Sequence, residues 1–152
     1  FNIHTPREFS LDYDYLNYRE KIYIENTFSN FKKEELKKFG GICLDLSHLE
    51  NERRQNKELY KKIILFFEEF KIGCNHISAI EEEPHIDKTG EIEKERYDSH
   101  YLNKLSELDY LKNYPLKYFS EFIAIELENS LKKQLEAKKY IEGILKNKLI
   151  DK

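Results

Sequence analysis

Six residues, His4, Glu25, Asp45, His48, His76 and Glu126, have side chains that can hold a cation or move a proton. Five of them end short strand-like runs, and His48 follows just beyond Asp45. Side chains alternate across a strand, so residues two apart share a face. One face gathers Asn2 and His4, Tyr23 and Glu25, Cys43 and Asp45, Cys74 and His76, Ala124 and Glu126. The other gathers Ile3, Ile22, Ile24, Ile42, Leu44, Ile123 and Ile125. Large aliphatics suit packing against helices. The remaining face is small or polar and ends in an acid or an imidazole at each C-terminal tip. Three carboxylates and three imidazoles then converge, although burying one unpaired carboxylate costs several kcal/mol. No Lys or Arg shares the inward parity near the tips. A divalent cation removes the repulsion, and mixed His and carboxylate donors suit zinc, manganese or iron. The competing reading leaves the tips in solvent, or pairs the acids with Arg7, Arg53 or Arg96. Asp98-Ser99-His100 adds a spacing that can clamp one ion.

The elements that must position these residues alternate. Strands are expected at Phe1 to His4, Lys21 to Thr27, Ile42 to Leu46, Lys71 to Ile77 and Glu121 to Leu127. Helices are expected at about Leu11 to Arg19, Phe31 to Phe39, Asn51 to Lys71 and Ser130 to Lys148. In the third of these, Leu59, Ile63, Phe66, Phe67 and Phe70 recur at helical spacing. The last carries Leu131, Leu135, Ile141 and Leu145 on its apolar side. Strands separated by helices imply βα units and a parallel sheet. Residues Glu81 to Leu102 show no clear strand and read as a long functional loop. Active-site residues at strand C-termini are the habit of a (β/α) barrel. An open doubly wound sheet usually begins with a Gly-rich phosphate turn, and neither GxGxxG nor GxxxxGK[ST] occurs.

The chain has 152 residues, 36% of them charged, with 11 Tyr and 10 Phe. So many aromatics rule out a disordered chain. A formal charge of −3 provides no general attraction for nucleic acid or an anionic membrane. The longest fully apolar run, Ile63 to Phe67, is far too short to span a bilayer. Two cysteines, Cys43 and Cys74, cannot build a disulfide scaffold, which makes the cytoplasm the expected compartment. Both are expected inward on adjacent strands, as core packing.

At these residues the sequence resembles the xylose-isomerase-like barrel superfamily, which includes sugar-phosphate isomerases and epimerases and the endonuclease IV family. The resemblance rests on Ile3-His4-Thr5-Pro6, Ile24-Glu25-Asn26-Thr27, Leu44-Asp45-Leu46-Ser47-His48, Asn75-His76-Ile77, Asp98-Ser99-His100 and Ile125-Glu126-Leu127. It implies that Glu25, Asp45, His76 and Glu126 bind one or two divalent cations. It further implies that His4, His48, Asp98 and His100 match the ligands completing a three-zinc cluster in the endonucleases. Glu128 shares the parity of Glu126 and is the alternative ligand. The segment between His4 and Glu25 is shorter than in the family, and no glycine follows the Asp-x-His. A closed eight-stranded barrel takes about 250 residues, and the resemblance places Phe1 near the fourth strand. One domain over residues 1–152 is therefore expected, the C-terminal portion of a TIM barrel with about five βα units.

Two chemistries fit. Isomerisation or epimerisation of a sugar or sugar phosphate needs adjacent substrate oxygens held by a cation and a base beside the C–H bond. Glu25 and Glu126 would be the catalytic ligand-bases, with His4, Arg7 and Asn26 contacting substrate. Zinc-dependent cleavage at abasic DNA is the alternative. However, residues Glu81 to Glu95 hold seven acids and two bases, a net −5 where a polyanion would approach. A degenerate barrel that binds without turnover is the third expectation.

Overall fold

The computed structural model describes residues 1–5, 16–27, 31–88 and 93–150. Among them the strands are β1 (Asn2–Ile3), β2 (Tyr23–Glu25), β3 (Gly41–Asp45), β4 (Ile72–Ile77), β5 (Ala79–Asp87), β6 (Lys94–Ser99) and β7 (Ile123–Ile125). The α-helices are α1 (Lys33–Leu36), α2 (Leu46–Gln55), α3 (Lys57–Phe67) and α4 (Leu131–Ile150). Five strands form one sheet in the order β1-β2-β3-β4-β7, and every pair is parallel. The chain is therefore a mixed α/β protein built on a curled, parallel half-barrel sheet.

The expected parity has a direct physical counterpart. Ile24, Ile42, Leu44 and Ile77 are fully buried on the face that meets the helical layer. That layer supplies Leu36, Leu46, Leu49, Ile63, Leu108, Leu111, Tyr114, Ile141 and Ile144 to the same core. Each fully buried aliphatic side chain contributes about 1.5–3 kcal/mol relative to exposure, which fixes which face of each strand points inward. Two glycines set the register. Gly41 opens β3 at φ 136°, where a Cβ would collide with the Lys71 carbonyl. Gly73 is the extra residue of a bulge: Ile42 pairs with Ile72, but Cys43 pairs with Cys74. The Tyr23 ring occupies the space that a side chain at Gly73 would need.

Several elements differ from the sequence reading. The helix expected over Asn51 to Lys71 is two helices. The first, α2, starts directly after β3, and the chain breaks at Asn56, whose side chain accepts the Leu59 N–H and caps α3. The segment expected to be a long loop is largely an antiparallel hairpin of β5 and β6. Its register shifts between Ile80 and His85, and Glu81-Glu82-Glu83-Pro84 lies in that shift, so no regular alternation advertised the strand. The connection from β4 to β7 also contains the 3-10 helices Leu105–Asn113 and Leu116–Tyr118. Regular βα units are thus fewer than expected: α-helices longer than one turn follow only β3 and β7 among the described residues. The helix expected from Leu11 lies mostly outside the described residues, which show a 3-10 helix at Leu16–Lys21. On α4 the buried stripe is Ala137, Ile141 and Ile144, while Leu131 and Leu135 face solvent. Among the described residues no helix is long and apolar enough to cross a membrane.

Candidate metal centre

The centre is organised by Asp45, the last residue of β3 and the N-cap of α2. Its Oδ1 accepts the backbone N–H groups of Ser47 at 2.8 Å and His48 at 2.9 Å, and the Ser47 hydroxyl as well. One carboxylate oxygen is thereby committed to the helix start. The other, Oδ2, is buried and has no hydrogen bond. The main chain of Asp45 is clamped by Asn26, which accepts its N–H at 2.7 Å and donates to its carbonyl at 2.9 Å. Strand β2 has ended by then, so a side-chain amide replaces the missing strand pairing.

Around Oδ2 the curl of the sheet gathers Glu25 from β2, His76 from β4 and Glu126, one residue past β7. The ligand atoms of Glu25, Asp45, His76 and Glu126 all lie within 4.8 Å of one another. Strands β2 and β7 are not neighbours in the sheet, yet both their carboxylates reach one imidazole. His76 Nδ1 is 2.9 Å from Glu126 Oε1 and 3.2 Å from Glu25 Oε2. Neither oxygen is aligned for a hydrogen bond, and this buried nitrogen is left without one. Asn2 donates to Glu25 Oε2 at 3.0 Å and steadies the carboxylate.

The charge states follow from this crowding. Burial drives the Asp45 carboxyl above its ordinary value, with the His48 charge only partly opposing it. Burial also works to raise Glu25, but His76, His48 and His4 outweigh it and hold the acid below its ordinary value. Burial would lower His76, yet the Glu126 and Glu25 carboxylates push it up to about 10. Three acids therefore close on one imidazolium in the cation-free protein. Two orphaned buried donor atoms, Asp45 Oδ2 and His76 Nδ1, face a set of two kinds of hard or borderline ligand. The donor set fits a divalent cation of the zinc or manganese class.

The other expected site residues surround this core. His48 stands beside it, with Nε2 at 3.6 Å from Asp45 Oδ2 and 4.0 Å from Glu25 Oε1. Its Nδ1 contacts Asp98 Oδ2 at 2.8 Å. Burial opposes the imidazolium, but Asp45 and Asp98 raise His48 to about 9. Asp98 is not turned toward the four-ligand set. It is clamped between His48 and Arg96, and the same guanidinium reaches Asp87 at 3.1 Å. Arg96, weighed from sequence only as a competing partner, thus neutralises two acids that the hairpin brings together. His4 and His100 are exposed and line one cavity of about 560 Å³ with Glu25, His48 and Glu126. Glu128 is exposed on a different cavity, so Glu126 is the residue in the cluster. Asn26, expected to contact substrate, is buried and gives both ends of its amide to Asp45. Arg7 lies outside the described residues.

Neither a family model, nor a curated protein, nor a solved structure matches this chain. The chemistry of the site therefore rests on its own geometry. Sequence reading also missed Glu50, which is fully buried on α2 and binds Arg53, Arg54 and Tyr114. Its i+3 and i+4 arginines were a legible signal, and they mark a structural anchor beneath the helix that carries His48.

Proposed function

We propose that this chain is a divalent-cation-dependent isomerase or epimerase of a sugar or sugar phosphate, and that its sheet is a portion of a (β/α) barrel. The observation that carries the reading is the meeting of Glu25 and Glu126, from non-adjacent strands, over His76 beside the unpaired Oδ2 of Asp45. When bound by these four residues, the cation supplies charge stabilisation to adjacent substrate oxygens as the neighbouring C–H bond breaks. Glu25 and Glu126 both line the 560 Å³ cavity, a volume suited to a small polar ligand. Glu126, with about a third of its side chain exposed, takes the proton from substrate carbon. Glu25 is held by Asn2 and reaches the same His76 nitrogen from β2, placed to return a proton or to orient a hydroxyl. His4, His48 and His100 offer hydrogen bonds to further hydroxyls around the rim.

The endonuclease alternative asks Asp98, His48, His4 and His100 to hold further ions. Asp98 already has two cationic partners, Arg96 and His48, which weighs toward a single-cation centre. Solvent-deuterium wash-in on a panel of aldoses, ketoses and their phosphates tests the proposal. Manganese-loaded protein should exchange one carbon-bound hydrogen of its substrate, and Glu126→Gln should abolish the exchange. Bound cation with no exchange across the panel, or nicking of an abasic duplex instead, refutes it.

A further inference from the structure

Beneath the oxygen-rich cluster the sheet register builds a second set of donors. Glu25 pairs in register with Cys43, and Cys43 pairs with Cys74, so these three share one layer of the concave face. Asp45 pairs with His76 in the layer above. The bulge at Gly73 brings Cys74 level with Cys43. Ligand atoms of Glu25, Cys43 and His76 lie within 4.8 Å of one another, as do those of the upper set. Glu25 and His76 belong to both. Cys43 is fully buried, and Cys74, in register beside it, is half-buried. A separate cavity of about 590 Å³ opens onto Cys74 and His76 along the concave face, past Asn2, Tyr23 and Ala124.

We propose that the centre has a second, sulfur-bearing seat for a thiophilic divalent cation, formed by Glu25, Cys43 and His76, with Cys74 in register beside it. Thiolate and imidazole favour softer ions, while an all-carboxylate-and-imidazole set accepts harder ones. Binding releases the thiol proton of Cys43 and the imidazolium proton of His76 to solvent and forms sulfur–metal and nitrogen–metal bonds, with no change of oxidation state. Each seat needs the same Glu25 and His76, so the two cannot be filled together. A soft cation in the lower seat withdraws both residues from Asp45 and Glu126. It therefore excludes manganese and, insofar as the sugar reading above holds, stops turnover. The buried Nδ1 of His76, which lacks an aligned hydrogen bond in the cation-free protein, is the swivel between the seats.

Cadmium serves as the probe, because a cadmium–thiolate bond absorbs in the ultraviolet where oxygen ligation is silent. The full chain titrated with cadmium should develop this charge-transfer band and saturate at one ion per chain. Cys43→Ser should lose the band, whereas Cys74→Ser should keep it. Asp45→Asn should keep the band while weakening manganese binding at least tenfold. X-ray absorption of cadmium-loaded wild-type protein reads sulfur neighbours directly, and so remains decisive if Cys43→Ser does not fold. The inference is overturned if wild-type protein shows no band, if bound cadmium has only oxygen and nitrogen neighbours, or if the band persists without Cys43. A cadmium band in protein that never binds manganese supports the sulfur seat and sinks the sugar reading. Manganese binding without the band does the reverse.

Discussion

Raising the pH should tighten manganese binding steeply, because the cation and a proton compete for His76. The Glu126 and Glu25 carboxylates, working against burial, raise that imidazole to about 10 in the cation-free protein. A metal ligand must be the neutral imidazole. At pH 7 the proton is therefore held about three pH units too tightly, a penalty of about 4 kcal/mol at 1.36 kcal/mol per unit. Between pH 6 and pH 8 each unit should tighten the dissociation constant about tenfold, roughly 100-fold in all. Isothermal titration in two buffers of different ionisation enthalpy should register release of about one proton per ion. His48 is raised to about 9 and stands close to Asp45 and Glu25, so it can yield a second proton. The same titration on His48→Gln isolates the His76 contribution. An unperturbed histidine near 6.5 would give a plateau above about pH 7. Such a plateau, or binding without proton release, would refute the charge arrangement deduced for the cluster.

Without cation, the protein should lose stability as the pH rises from about 6.5 through 9 to 10. The folded state holds His48 and His76 protonated above their unfolded value, so their contribution is complete below about 6.5 and is lost as they deprotonate. Thermal melts across that range, with and without manganese, check the sign, and a melting temperature that climbs with pH would contradict it. Arg96→Met leaves the buried Asp98 and its neighbour Asp87 without their guanidinium and should destabilise by about 3–5 kcal/mol in urea unfolding. An effect under about 1 kcal/mol would mean that Arg96 is not the counter-ion. Asn26→Ala removes both bonds to the Asp45 main chain. It should cost about 1–3 kcal/mol in urea unfolding for a buried, unsatisfied amide. Manganese affinity should fall alongside it, measured by calorimetry; unchanged affinity would show that Asn26 does not position Asp45.

The concave-face residues were readable in the chain because alternation is a local property. Once Ile24, Ile42 and Leu44 must be buried, Glu25, Cys43 and Asp45 have no other side to occupy. What stayed hidden depended on contacts between distant residues. The hairpin of β5 and β6 was disguised by a register shift at a run of three glutamates and a proline, where period-two patterning fails. The break between α2 and α3 turned on one capping asparagine in a polar run, ahead of the apolar spacing that begins at Leu59. Asn26 looked like a substrate contact beside Glu25, yet the end of β2 left the Asp45 main chain unpaired, and only an amide fills both roles. Arg96 could be counted from sequence, but its choice of Asp98 and Asp87 required the hairpin that carries all three.

By itself, then, the sequence determined which face of each strand is polar and which residue types end it, since side-chain alternation and burial are settled within a few residues. The tertiary structure alone decided which of those residues meet. Curl brings β2 and β7 together over His76, the helix cap takes one oxygen of Asp45 and leaves the other orphaned, and the Gly73 bulge levels two thiols beneath them. Distances across a curled sheet depend on register and curvature, and these are properties of the assembled strands rather than of any one of them.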